Sequence, residues 1–201
     1  MKQFLVSILV GALAPGMAAA MQVETQVSEV KWIADREDGA RALLSCPLPA
    51  EINDQLIVSA HLELSLAALT PTKRIEVTLA AIETAWSPDA SWTSPWRSAG
   101  GDLDDALAED FTVAGGRQAS TIGINVTQLV RAVAEGGRMD YGMALLPADP
   151  LRVGFDAEEQ AVLGSLTTGT LVVTYTDLPA LGYRGGAQAL RAKRRSVQRV
   201  E

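Results

Sequence analysis

The sequence predicts an all-β fold: an antiparallel β-sandwich, jelly-roll-like, with one short crossover helix. Three observations carry that prediction. Short runs with apolar and polar residues alternating recur along the chain, for example over 58–66 and 74–82, and a period of two marks a strand with one face buried. Gly, Pro and Asp punctuate those runs at turn positions, as at Asp38-Gly39 and Gly115-Gly116. The strand–helix–strand rhythm that builds a parallel sheet is missing, which argues against a Rossmann-type fold.

Taken in order, residues 26–34 carry Val27, Val30 and Trp32 and read as a first strand. Asp38-Gly39 is a two-residue hairpin signal, because both central turn positions need positive φ. Residues 41–46 are the returning strand, and 47–54 a loop. Over 58–66, Val58, Ala60, Leu62, Leu64 and Leu66 take one face, with Ser59, His61, Glu63 and Ser65 on the other. Thr70-Pro71-Thr72 turns the chain into 74–82, where Ile75, Val77 and Leu79 point inward. Residues 86–95 are aromatic and turn-rich. Residues 100–110, GGDLDDALAED, read as an acidic loop with one helical turn, and 111–113 as a short strand.

The stretch 121–146 changes period twice. Ile122, Ile124 and Val126 alternate as in a strand; Val126, Leu129, Val130 and Val133 then recur at helical spacing. Asn125 or Thr127 can cap that helix, and Gly136-Gly137 can end it. Tyr141, Met143 and Leu145 alternate again. A loop over 147–152, a short strand at 153–155, an acidic polar stretch at 156–160 and a last β-rich run at 171–175 complete the body.

Residues 1–20 have the form of a secretory signal peptide: Lys2, an apolar run from Phe4 to Leu13, and Ala18-Ala19-Ala20 before Met21. Residues 21–182 form one β-sandwich domain, and 183–201 a basic, disordered tail. The chain is therefore expected to be secreted, periplasmic or at the cell surface, with no transmembrane segment in its mature part. Cys46 is the one cysteine, which excludes a disulfide within a single chain and favours a buried thiol over a bridge between chains. The net charge is −7, and with the six bases from Arg184 onward, Glu201 and Lys2 set aside the rest carries −13. So acidic a body argues against nucleic acid as a partner.

A series of short motifs runs collinearly through the body: Ser59-Ala60-His61-Leu62-Glu63-Leu64, Ile75-Glu76-Val77, Trp86 with Trp92, Val126-Thr127-Gln128-Leu129-Val130, Tyr141-Gly142-Met143-Ala144-Leu145 and Leu171-Val172-Val173-Thr174-Tyr175. In that order they resemble the DNRLRE-type domain of bacterial and archaeal surface proteins, which is related to the TGF-beta propeptide fold. The likeness covers residues 27–175. Val133 stands where the family commonly has a tryptophan, Asp140 where it has Asn before Tyr-Gly, and the eponymous motif is not recognisable. The resemblance implies a jelly-roll module of secreted or surface proteins, some of which bind carbohydrate.

Chemistry-bearing residues are few. His61 is the sole histidine, with no other ligand at metal-binding spacing and no G-x-S-x-G elbow to make it a triad base. Asp102, Asp104 and Asp105 form a D-x-D-D cluster whose hard oxygens suit Ca2+, with Glu109 and Asp110 as further ligands; the alternative is a solvated acidic run. Trp96, in a Pro-bounded loop, is the candidate exposed platform for a sugar ring, while Trp86 and Trp92 are assigned to the core. Asn125-Val126-Thr127 reads as a helix cap rather than a glycosylation site. The basic tail suits an anionic polymer or lipid headgroups. Together these features lead to an exported non-catalytic module binding a polysaccharide or other cell-surface polymer. The alternatives are a structural or adhesive subunit contacting envelope proteins, and a polysaccharide hydrolase or lyase built on paired carboxylates.

Overall fold

A computed structural model of the chain describes residues 9–10, 20–68, 74–114 and 118–176. The expected tail lies outside the described residues, as does all of the expected leader except residues 9–10 and 20. The strands are β1 (Leu9–Val10), β2 (Met21–Gln26), β3 (Glu29–Asp35), β4 (Gly39–Ser45), β5 (Leu56–Leu66), β6 (Arg74–Ile82), β7 (Leu103–Ala114), β8 (Ser120–Asn125), β9 (Met143–Pro147) and β10 (Leu166–Thr176). They form two five-stranded antiparallel sheets, β1-β2-β10-β5-β8 and β3-β4-β9-β6-β7. β2 pairs with β10, β4 with β9, β5 with β8 and β6 with β7. From β2 to β10, β3 apart, the chain is thus one long hairpin wrapped into two layers, which is a jelly-roll order with β1 added at an edge of one sheet and β3 at an edge of the other.

Alternation sorts the side chains as expected for most strands. Val23, Ala60, Leu62, Leu64, Ile75, Val77, Leu79, Ile124, Leu171 and Val173 fill the space between the sheets. β5 departs from strict period two. Thr174 pairs with Ser59 but Tyr175 with Ile57, so Val58 is an extra residue in the ladder. That bulge turns Ile57 inward and leaves Val58 49% exposed, against the inward position that alternation gave it. The single strand expected over 26–34 is two. The chain leaves β2 at Gln26, crosses between the sheets at Val27-Ser28 and enters β3 at Glu29, which leaves Val30 facing solvent. The hairpin at Asp38-Gly39 is present, but its loop holds three residues, since Asp35 pairs with Gly39. The Asp35 carboxylate accepts from Glu37 N at 2.8 Å, an Asx turn that a two-residue loop does not need.

The crossover helix α1 (Thr127–Ala134) lies where the period change put it. Asn125 Oδ1 accepts from Thr127 N at 3.1 Å at its start. At its end Gly136, with φ +68°, donates to Val133 O and Gly137 to Ala132 O, the two bonds of a Schellman motif. Leu129, Val130 and Ala134 are buried. The Thr127 hydroxyl accepts from Ala60 N at 2.9 Å, so it continues the β5–β8 ladder one step past the end of β8.

Two elements correct the sequence reading. A second helix, α2 (Ala157–Leu163), beyond the one crossover helix expected, begins in the acidic polar stretch at 156–160. Asp156 accepts from Glu159 N while the Glu159 side chain accepts from Asp156 N, a full capping box. The expected acidic loop of 100–110 is largely β7, a 12-residue strand at the outer edge of the second sheet. Its charge is that of an edge strand guarded against further pairing rather than that of a loop. Among the described residues no helix is long and apolar enough to cross a membrane.

Candidate functional site

Around β4 and β9 the second sheet is apolar on both faces. Ala42 and Leu44 of β4 point into the inter-sheet core, while Leu43 between them points outward, joined by Ile33, Ile82 and Ala144. Segment 83–102 folds over this outer face and supplies Ala90, Trp92 and Trp96, with Trp86, Leu103 and Tyr141 partly buried beside them. The result is a second, smaller core beneath a tryptophan-bearing flap.

Trp96 is therefore not the exposed platform expected of it. It is 8% exposed, and its Nε1 donates to Ser91 O at 2.8 Å inside the flap. A Pro-bounded loop looked like a surface feature, but this one has an apolar sheet beneath it to cover. Trp92 is buried as expected, and its Nε1 donates to Asp38 Oδ2 at 3.2 Å. The Arg41 guanidinium sits 5.5 Å from the Trp92 ring centroid and donates to Gly100 O at 2.8 Å and to Val153 O at 2.7 Å.

The three aspartates expected to hold calcium have separate tasks. Asp102 is buried and ties down the flap. Its carboxylate accepts from Thr84 Oγ1 at 2.6 Å, Arg97 N at 3.1 Å and Ser98 N at 2.9 Å. These bonds, that from Thr84 foremost, hold its carboxyl below the usual carboxylate range. Asp104 pairs with Arg138, which also reaches Glu83 at 3.6 Å. Asp105 is exposed and faces Arg41. Among the described residues no group of three or more His, Cys, Asp or Glu side chains is placed to hold a metal ion. Asp102 and Asp105 line one depression, while Asp104 is taken up by Arg138. His61 lies on the outer polar face of the first sheet, opposite Asn125 and Val172.

Where the flap meets the end of the second sheet, a cleft of about 190 Å³ opens between Trp86, Tyr141, Asp140 and Glu29. Its geometry is fixed by backbone contacts. Trp86 Nε1 donates to Tyr141 O at 2.7 Å, and Asp140 Oδ2 accepts from Leu48 N at 2.8 Å. Gly142 has φ +89°, and a Cβ there would lie 2.3 Å from Leu44 O, so the Tyr-Gly pair admits no other second residue without displacing β4. Cys46 lines the same cleft and is 2% exposed. Burial, and then the charge of Asp140, push its thiol up to about 12, so it stays protonated at neutral pH and supplies no thiolate.

Neither aromatic of the cleft was singled out by the sequence as a ligand residue. Trp86 and Tyr141 are 55 residues apart, and adjacency of β6 and β9, with Ile82 N donating to Gly142 O at 3.1 Å, is what joins them. The available signal was that both stand in the collinear motif series. A second depression, about 440 Å³, lies over Arg41, Glu83, Arg97 and Asp102. It is open and polar, and its charges are partly spent on each other, with Arg97 3.9 Å from Asp102. Compared with known families and characterised proteins, the chain matches no family model and no curated protein sequence.

Proposed function

We propose that this chain is an exported, non-catalytic β-sandwich module that binds an extracellular glycan or other surface polymer, with the Trp86–Tyr141 cleft as its contact point. The observation that carries the reading is the pairing of two half-buried aromatic rings with hydroxyl and carboxylate groups in one rigidly backed cleft. An aromatic face matches the C–H face of a pyranose, and neighbouring polar groups fix its hydroxyls. At about 190 Å³ the cleft is smaller than the roughly 300 Å³ at which pockets begin to enclose drug-sized ligands, which suits one ring of a longer polymer. The leader-like 1–20 segment supports export. The likeness to DNRLRE-type surface domains supports a place in the envelope or outside it, and two of the motifs it rests on, Trp86 and Tyr141-Gly142, line the cleft.

The test is retention of the folded protein on a panel of insoluble and gel-immobilised polysaccharides, followed by tryptophan fluorescence titration with the retained polymer. Retention on at least one polymer, with Trp86→Ala reducing affinity by about tenfold or more, is expected, since a central aromatic contact is commonly worth about 2 kcal/mol. A folded chain retained by none of them overturns the reading.

A further inference from the structure

The groups around the cleft are of one electrical sign. Glu29 and Asp140 bring two carboxylates to it, Trp86 and Tyr141 bring two rings, and no Lys, Arg or His is among the described residues that line it. The faces of aromatic rings are negative and attract cations, so both kinds of group favour the same guest. Among the described residues Glu29 has no cationic partner, and Asp140 accepts a neutral backbone N–H from Leu48. A neutral sugar leaves the Glu29 charge unused, and a uronic acid or sulfated sugar is repelled by both carboxylates. An ammonium group beside a pyranose ring satisfies rings and carboxylates together. The overall charge of −7 adds long-range attraction for a polycation.

Resting on the glycan-binding reading above, we propose that the cleft selects an amine-bearing glycan, one whose amino sugars carry free rather than acetylated amino groups. The ammonium lies over Trp86 or Tyr141 and against Glu29 and Asp140, and the ring packs on the other aromatic.

The test uses the full chain and three probes of matched length: a glucosamine oligomer, its fully N-acetylated counterpart, and oligolysine, in slightly acidic buffer, followed by tryptophan fluorescence and calorimetry. The glucosamine oligomer is expected to bind about tenfold more tightly than the acetylated one, and to weaken with added salt. Glu29→Gln, which keeps the shape of the cleft, is expected to lower that affinity roughly threefold to tenfold, and Trp86→Phe to lower it less than Trp86→Ala. Equal or tighter binding of the acetylated oligomer overturns the charge selection and leaves the glycan reading in place. Oligolysine binding as tightly as the glucosamine oligomer overturns the sugar specificity. Affinity unchanged in both Glu29→Gln and Trp86→Ala overturns the location. A folded chain that binds neither sugar nor any polysaccharide of the panel overturns both proposals.

Discussion

The outer faces of the two sheets are built from opposite chemistry. On the first sheet the outward positions are mostly polar: Ser59, His61 and Glu63 of β5, Thr170 and Thr174 of β10 on either side of Val172, and Gln22, Glu24 and Gln26 of β2. They hydrogen-bond sideways, as Gln26 Nε2 does to Thr170 Oγ1 at 3.0 Å, and meet water directly. On the second sheet the equivalent positions are Ile33, Leu43, Ile82 and Ala144, sealed under the flap. The first sheet obeys the in–out rule of a half-buried antiparallel layer, whereas the second is buried on both sides beneath the flap and polar on its outer face only beyond it, at Glu76 and Thr78 of β6 and Asp110 and Thr112 of β7. Only the second therefore carries tertiary structure on its back, and that structure brings Trp86 to Tyr141.

The sharpest way to break the comparison is to remove anchors of the flap. Trp96→Ala, although on a loop, is expected to cost about 3–5 kcal/mol, the range for a buried aromatic, read by urea unfolding. If Trp96 were the solvent platform its sequence context suggested, the change would be within about 0.5 kcal/mol. Next in size, Leu43→Ala should cost about 2–5 kcal/mol and His61→Ala less than about 0.5 kcal/mol, though both are outward-facing residues of central strands. Equal costs would erase the distinction between the sheets.

Gly142→Ala is expected to cost roughly 1–3 kcal/mol, from positive φ and from the approach to Leu44 O, and to abolish binding in the cleft, checked by unfolding and titration on the same sample. Acid should act on the flap through Asp102. Its folded carboxyl titrates below the unfolded value, so its stabilisation is fully present above about pH 4 and is lost as pH falls through the folded value. Glu159 follows the same sign, chiefly through its bond with Arg152. Near-UV circular dichroism of the tryptophans should fade on acidification below about pH 4, and Asp102→Asn should weaken that dependence. A smaller effect than those of the flap is expected at the cap of α2, where Asp156→Ala should cost about 1 kcal/mol, read by urea unfolding.

What could be read from sequence follows the same division. β6 was bounded at Arg74 and Ile82 by alternation alone, and α1 by a period change with Asn125 before it and two glycines after it, because those signals are local. β4 shows the limit. Ala42, Leu43 and Leu44 are all fully buried, so their burial has no period, and nothing near them in sequence says that a flap from 40 residues later covers Leu43. The burial of Trp96 is hidden for the same reason. β7 is hidden because charge on an edge strand and charge on a loop look alike until the pairing with β6 is known. α2 was legible in principle, since Asp156 and Glu159 stand at capping-box spacing, but its seven residues carry too short an apolar stripe to announce a helix. The Trp86–Tyr141 cleft is non-local throughout, and only the strand order assembles it.

The pairing of β2 with β10 has a consequence for how the domain is presented. Tyr175 is the register partner of Met21, so the start of β2 and the end of β10 lie together. Glu29 and Cys46 lie beyond the opposite end of β2, roughly 17 Å of strand away. A fusion partner joined beside Thr176 is therefore expected to stand at the end of the β2–β10 pair remote from the mouth lined by Trp86, and to leave the proposed binding cleft open.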